Sequence, residues 1–312
     1  MRMLITGGAG FIGSNLARYA LAQDPSNEIH ILDDLSTGFA DNLRGLDVNH
    51  VEGSILDQDV LATFAGMDSI IHLAAIPSVP RSVKDPRRSH DANATGTLNV
   101  LEAARALGID HVVVASSSSV YGSNPELPKR EDSYTRPMSP YAASKLATEA
   151  YAVAYGHSYG MKTLAFRFFN VYGPGQAAGH SYAAVIPQFI DHALRGKPLP
   201  VTGDGTQTRD FTFVESVVGA LYASAANKIS SASPVNLAFG TNTSLNGLIS
   251  TLEGVLGHSV EVDYVPARVG DVYASQADST LLTSLMPQAQ QFSLEHGVRA
   301  TVEWFRSEAA RG

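Results

Sequence analysis

The sequence predicts an α/β fold, a doubly wound parallel sheet followed by a smaller mixed α/β lobe. Three observations carry this expectation. Up to about residue 170, short apolar runs alternate with segments of helical periodicity, as in a parallel sheet covered on both faces. The first apolar run passes straight into a helix through Thr6-Gly7-Gly8-Ala9-Gly10-Phe11-Ile12-Gly13. Beyond Asn170 the texture changes to loop chemistry and separate amphipathic segments.

In chain order, strands are expected at 3–5, 29–32, 48–51, 69–73, 111–115 and 163–168, with helices from Phe11 and at 58–64, 91–107 and 141–159. The two long helices carry apolar side chains at helical spacing, Leu98, Leu101 and Ala104 on one, Leu146, Ala150, Val153 and Ala154 on the other. Such faces either bury on the sheet or pair with the same helices of a second subunit, which would make a homodimer. Gly173-Pro174-Gly175-Gln176 and Gly203-Asp204-Gly205 read as loops, 185–194, 246–256 and 294–306 as helices, and 260–264 as a strand. Residues 1–170 then form a nucleotide-binding domain, with a returning segment at about 210–230, and 171–312 mainly a substrate-binding lobe.

Composition narrows the function. A chain of 312 residues buries a large core. No apolar run is long enough to cross a bilayer, and Met1 leads directly into the first strand, so a cytoplasmic protein without membrane association is expected. The absence of cysteine excludes disulfides, thiolate metal sites and cysteine nucleophiles, and the ten histidines lack ligand-like spacing, so no metal is expected. With 22 basic against 30 acidic residues the formal charge is −8, which argues against a nucleic-acid surface. An anionic ligand must be held by a few arginines and backbone amides.

The glycine turn is such an amide site. Gly7, Gly10 and Gly13 permit a tight turn, close approach to a pyrophosphate and helix-on-strand packing, while the helix N-terminus faces the phosphates. The second strand ends in Asp33, about 20 residues beyond the last glycine, as in Rossmann-type dinucleotide sites. A carboxylate there accepts from the adenosine ribose and repels a 2′-phosphate, which points to NAD rather than NADP. Pro140-Tyr141-Ala142-Ala143-Ser144-Lys145 sets a tyrosine and a lysine on one helical face, after a fifth strand that ends in serines. A phenol with pKa near ~10 is a poor base at neutral pH. Lowering it by about 3 units takes roughly 4 kcal/mol, within reach of a neighbouring ammonium and a positive nicotinamide.

Together with His72-Leu73-Ala74-Ala75, Asn93, Ser116-Ser117-Ser118-Ser119-Val120-Tyr121-Gly122, the run from Phe166 to Pro174, that from Gly205 to Phe213, and Arg268-Val269-Gly270-Asp271, these motifs make the chain resemble the extended short-chain dehydrogenase/reductase family and, within it, the NAD-dependent nucleotide-sugar epimerases. The resemblance implies Tyr141 as acid/base, Lys145 on the nicotinamide ribose and tuning Tyr141, and Ser117 on the sugar 4-hydroxyl. It places the cofactor on Gly7, Gly10, Phe11, Ile12, Gly13, Asp33, Ser36, Thr37, Gly38, Ile55, Leu73, Ala74, Ala75, Asn93 and Lys145. For a UDP-sugar it implies Ser78, Arg81, Ser117, Ser118, Ser119, Tyr141, Asn170, Val185, Val201, Arg209, Arg268, Asp271 and Ser275, with Asn170, Arg209 and Arg268 on the pyrophosphate and Asp271 near the nucleotide ribose. Bidentate guanidinium is the natural partner of phosphate in an otherwise acidic protein. Ser54 stands where relatives often carry an aspartate beside the adenine, so only Ile55 is carried over; Ser216 replaces a common aspartate.

Related dehydratases resemble Ser-Thr-Asp-Glu-Val-Tyr-Gly at the fifth strand, whereas residues 116–122 contain no carboxylate. A serine is no acid at neutral pH, and epimerisation needs only one acid/base and a reversible hydride. Ser78-Val79-Pro80-Arg81-Ser82 resembles the segment of epimerases acting on UDP-N-acetylhexosamines, and reads equally as a proline-shaped loop with a solvated arginine. Ser275 occupies a position where epimerases restricted to unsubstituted hexoses carry a tyrosine, leaving room for a 2-acetamido group. The expectation is 4-epimerisation of UDP-N-acetylglucosamine, with UDP-glucose second. UDP-glucuronate, a dehydratase or reductase reaction, and a non-catalytic NAD-sensing role are the alternatives.

Overall fold

The computed structural model describes residues 1–178, 184–266 and 273–309. From the N-terminus come β1 (Arg2–Thr6), α1 (Phe11–Gln23), β2 (Glu28–Asp33), β3 (Asn49–Glu52), α2 (Gln58–Leu61), β4 (Ser69–His72), α3 (Val79–Lys84), α4 (Pro86–His90), α5 (Gly96–Ala106), β5 (His111–Ser117), α6 (Pro140–Tyr159) and β6 (Lys162–Phe168). Then follow β7 (Val171–Tyr172), α7 (Val185–Leu194), β8 (Leu199–Thr202), β9 (Thr208–Arg209), β10 (Thr212–Phe213), α8 (Val214–Asn227), β11 (Val235–Leu237), β12 (Thr243–Ser244), α9 (Leu245–Leu256), β13 (Val262–Val265), α10 (Thr280–Leu285) and α11 (Leu294–Ala309).

Seven strands form one parallel sheet in the order β11-β6-β5-β4-β1-β2-β3. Both faces are dry because successive side chains alternate between two cores. Met3 and Ile5, Val113, and Leu164 and Phe166 enter one core. Leu4, Val112 and Val114, and Ala165 enter the other. The first core continues into the C-terminal lobe through Phe189, Val201, Leu248 and Val298. The doubly wound α/β class predicted from the alternation is the one observed. Connections from β1 and β4 run to opposite sides, so a crevice opens between their C-terminal ends.

Three elements depart from the expected pattern. Helix α2 stops at Leu61, three residues short of the expected end. The 91–107 helix is split, with a wide π-turn at Asp91–Thr95 before α5. It goes with a contact to the segment after β4: the Asn93 side chain leaves the helix for the backbone of Ile76, while the Thr97 hydroxyl donates to the Asn93 carbonyl at 2.6 Å. The segment after β4, read as a loop, forms two short helices capped by Ser78 and Asp85.

Beyond β6 the chain leaves and returns. α8 packs on α1, and β11 adds the outermost strand beside β6. Short pairs β7 with β10, β8 with β13, and β9 with β12 organise the lobe between them. α6 is opened by Ser139, whose hydroxyl accepts from the Ala142 amide at 3.1 Å ahead of Pro140, and closed by Gly160 at φ +69°. Along the long helices, Val100, Leu101, Ala104, Ala152 and Tyr155 bury on the sheet and Leu146 packs beside Tyr121. Ala150 and Ala154, expected either to bury on the sheet or to pair with a second subunit, are exposed, as are Ala143 and Tyr151.

Candidate functional site

A cavity of about 920 Å³ lies along the C-terminal edge of the sheet. At its floor the glycine turn carries three distinct constraints. Gly7 sits at φ +72°, and a Cβ there would lie 2.6 Å from the Ala74 amide nitrogen. A Cβ on Gly13 would meet the Gly7 carbonyl oxygen at 2.3 Å, so the helix could not close on the strand. Gly10, whose Cβ would have one neighbour at 3.1 Å, faces the cavity instead. A bare backbone with free amides at the mouth of α1 is what a dinucleotide pyrophosphate requires, and the residues present fit NAD.

Asp33 ends β2 in the cavity wall, with Ser36, Thr37 and Ile55 nearby. Its carboxylate accepts from the Ala9 and Leu35 amides, each at 2.9 Å, and so ties the glycine turn to the second strand. Burial pushes its carboxyl above the ordinary range, and the two amide hydrogen bonds oppose that. Gly38 does not line the cavity; a Cβ there would lie 3.1 Å from Asp33 Oδ2, so its bareness keeps the carboxylate in place.

Leu73, Ala74, Ala75, Ser78 and Arg81 supply the wall after β4. Asn93 does not reach the cavity. It is fully buried, accepting from the Ile76 amide at 2.8 Å and donating to Ser144 Oγ at 2.9 Å, and it is the neighbouring Ala92 that faces the space. Nothing local in the motif signals this one-residue offset, which accompanies the π-turn. Asn93 thus clamps the loop after β4 to α6 instead of turning its amide into the cavity.

On the opposite wall stand Ser117, Tyr141 and Lys145, with Ala115, Ser116 and Phe168. The Lys145 ammonium donates to the Ala115 carbonyl at 2.8 Å, and burial lowers its pKa to about 8. Burial raises the Tyr141 phenol, and a hydrogen bond with Ser117 pulls it down. The Lys145 ammonium is turned to the β5 backbone in this structure. Beneath them His72 is pushed down to about 3, by burial first and then by Lys145. It stays neutral and links Thr6 Oγ1 at 2.7 Å to Thr97 Oγ1 at 3.0 Å. Ser118 and Ser119 begin a tight turn that Ser117 caps by accepting from the Ser119 amide at 3.2 Å, and neither lines the cavity.

A second cavity of about 240 Å³ adjoins the first, sharing Val171 and Ala184. Asn170, Val185 and Arg209 line it. Arg209 Nη1 donates to the Thr208 carbonyl at 2.8 Å and Asn170 Nδ2 to the Asp210 carbonyl at 3.1 Å, which fixes both on the β9 segment. Val201 points into the core, fully buried, while Pro200 and Thr202 on either side face the cavity, as strand alternation demands. Ser275 lies outside both walls, its amide donating to the Thr208 carbonyl at 3.2 Å beside Arg209. Arg268 and Asp271 lie outside the described residues. Asp34, Arg87 and Arg88 also line the first cavity with no motif to signal them, and Gln176 and Gln207 line the first and second from within the named loop and the run from Gly205 to Phe213, where no role was expected of them.

The model of the NAD dependent epimerase/dehydratase family matches residues 3–238. A UDP-glucose 4-epimerase of Mycolicibacterium smegmatis is 38% identical over 316 residues, covering 99% of this chain and 100% of the relative. A UDP-glucuronate 4-epimerase of Thermodesulfobacterium geofontis is 33% identical over 321 residues, covering 96% and 95%. The solved UDP-N-acetylglucosamine 4-epimerase of Methanobrevibacter ruminantium M1, in complex with UDP-N-acetylmuramic acid, superposes with a TM-score of 0.93 at 36% identity, covering 98% of both chains.

The Asp33 carboxylate yields a first prediction. Asp33→Ala removes the acceptor from both the ribose and the Ala9 amide, so NAD affinity falls by about tenfold or more and the preference over NADP narrows. Calorimetric titration of both cofactors checks it; equal affinity of the unaltered protein for the two would remove the role given to Asp33.

Proposed function

The chain belongs to the NAD dependent epimerase/dehydratase family, and within it we propose that it interconverts C4 epimers of a UDP-sugar, UDP-N-acetylglucosamine and UDP-N-acetylgalactosamine first, UDP-glucose and UDP-galactose second. The observation that carries this reading is the convergence of Ser117, Tyr141 and Lys145 on one cavity wall while residues 116–122 offer no carboxylate to expel a 6-hydroxyl. Retention of the tyrosine and lysine speaks against a purely sensing role.

Bound NAD supplies a reversible hydride acceptor at C4, so that the sugar passes through a 4-keto form and returns with either configuration. Tyr141 takes the 4-hydroxyl proton on its phenolate oxygen and gives it back. Ser117 orients that hydroxyl, and Lys145 holds positive charge one helical turn away. Asn170 and Arg209, with Arg268 and Asp271, take the nucleotide diphosphate end. The exposed stripe Ala143, Ala150, Tyr151 and Ala154 on α6 is the face on which a second copy would pair, and a cytoplasmic location suits a nucleotide-sugar substrate.

A second reading, on UDP-glucuronate, is favoured by Arg81. It is half-buried in the first cavity, and among the described residues its guanidinium has no hydrogen-bonded or ionic partner. Asp85, four residues on and the ordinary helical partner, instead caps α4 by accepting from the Arg88 amide at 3.1 Å.

Three outcomes test these assignments. Tyr141→Phe keeps the ring, so folding and NAD binding persist while kcat falls by roughly 10²-fold or more. Near-normal turnover would place the base elsewhere. Ser275→Tyr, if Ser275 borders C2 of the sugar, lowers kcat/KM on UDP-N-acetylglucosamine by roughly ten- to a hundredfold and leaves UDP-glucose little changed. Equal loss on both would deny Ser275 that place, and activity confined to unsubstituted hexoses would refute the favoured substrate. Arg81→Gln lowers kcat/KM on UDP-glucuronate by about ten- to a hundredfold against a small effect on UDP-glucose. Parallel losses, or no uronate turnover in the unaltered protein, would end the second reading.

A further inference from the structure

The end of β5 and the first turns of α6 are joined residue by residue. Ala115 accepts from the Lys145 ammonium, Ser116 Oγ lies 3.3 Å from the Lys145 carbonyl and 2.8 Å from Glu149 Oε2, and Ser117 meets the Tyr141 phenol. Three consecutive strand residues thus engage positions 141, 145 and 149, one helical turn apart. The lowest rung is charged. Glu149 and Arg167 of β6 form a bidentate pair, Nη2 to Oε1 at 2.7 Å and Nε to Oε2 at 3.0 Å, with side chains 3% and 4% exposed. Arg167 is held from two further sides, donating to the Glu131 carbonyl at 3.2 Å and stacking 4.7 Å from the Tyr121 ring centroid. Tyr121 in turn donates to Asn236 Oδ1 of β11 at 2.6 Å.

An apolar pair of equal volume is commonly at least as stable as a buried ion pair, so stability alone does not account for this one. We propose that the Arg167–Glu149 pair is a positioning device for the acid/base couple, fixing the register of α6 through Ser116 and holding the net charge beneath Lys145 and Tyr141 at zero. The inference rests on the epimerase reading for its kinetic consequences, though not for its electrostatic one. The other charged and titratable groups around the couple are His72 of β4, which stays neutral, Arg167 of β6, Tyr121 and Glu131 before α6, and, along the shared cavity, Asp33, Asp34, Arg81 of α3, Asp85, Arg87 and Arg88 of α4, and Asp91. Glu102 and Arg105 of α5 pair with each other at the far end of α6, where Glu102 accepts from the Tyr155 hydroxyl and Arg105 lies over the Tyr159 ring.

Glu149→Gln is the informative variant, because a guanidinium does not deprotonate and the pair is left with a full buried positive charge. That charge favours the phenolate, so the Tyr141 titration moves to lower pH by on the order of one unit. The double variant Glu149→Gln with Arg167→Met removes both charges and returns it to its original position. Both variants lower kcat by about tenfold through the lost register, with little change in KM. The electrostatic readout is the ultraviolet absorbance titration of the NAD-bound protein after subtraction of the same titration for Tyr141→Phe, which requires no turnover. A lowered melting temperature in both variants, with an unmoved Tyr141 titration and unchanged kcat per folded protein, would overturn the proposal and leave the pair purely structural. If Glu149→Gln does not fold, unchanged kcat in the double variant overturns it equally. A shifted titration in a protein inactive on every UDP-sugar would instead uphold the inference and remove the epimerase reading.

Discussion

Because every pairing in the central sheet is parallel, all seven strands deliver their C-terminal ends to one edge. The rest of the molecule depends on that constraint. The glycine turn after β1, Asp33 at the end of β2, the wall after β4 and the serines at the end of β5 are far apart in sequence and become neighbours only there. The reversal of winding between β1 and β4 opens the space that holds them. The C-terminal lobe shares a core with the sheet and so closes over that edge without a hydrophobic core of its own.

The edge is organised by hydrogen bonds that few surface properties betray. His72, Thr6, Thr97 and Thr148 form a neutral buried chain from β1 to α6. Asn93 joins the loop after β4 to Ser144, whose hydroxyl donates to the Tyr141 carbonyl at 2.8 Å. Helix α6 is therefore gripped along its first three turns by β4, β5 and β6. The acid/base role proposed for Tyr141 would gain from such fixation, since small displacements of an acid/base are costly in rate.

Charge is distributed in the same economical way. Around the two cavities the cations differ in their setting: Lys145 is buried near pKa 8, Arg209 lies on β9, Arg81 has no acidic partner among the described residues, and Arg167 is neutralised by Glu149. Burial opposes the charged form of both Tyr141 and Lys145, so the balance between them is sensitive to any further charge in the cavity.

The sequence by itself determined six of the seven strands of the sheet, because the period-two alternation of Met3, Leu4 and Ile5 and its counterparts is a local signal that burial on both faces enforces, whereas the short edge strand β11 was not among those expected. It also determined the dinucleotide turn, since glycine is the residue type that tolerates Gly7's backbone and Gly13's contact. Helix α7 was legible to its ends, Val185–Leu194, for the same reason of periodicity. Only the tertiary structure decided which neighbour of a motif residue meets the cavity: Ala92 and not Asn93, Pro200 and Thr202 and not Val201. It decided too that Ala150 and Ala154 face outward and that the Lys145 ammonium turns to Ala115. A one-residue π-turn offset, the facing of a short strand and the aim of a long side chain are set by contacts with segments distant in sequence, and no local pattern records them.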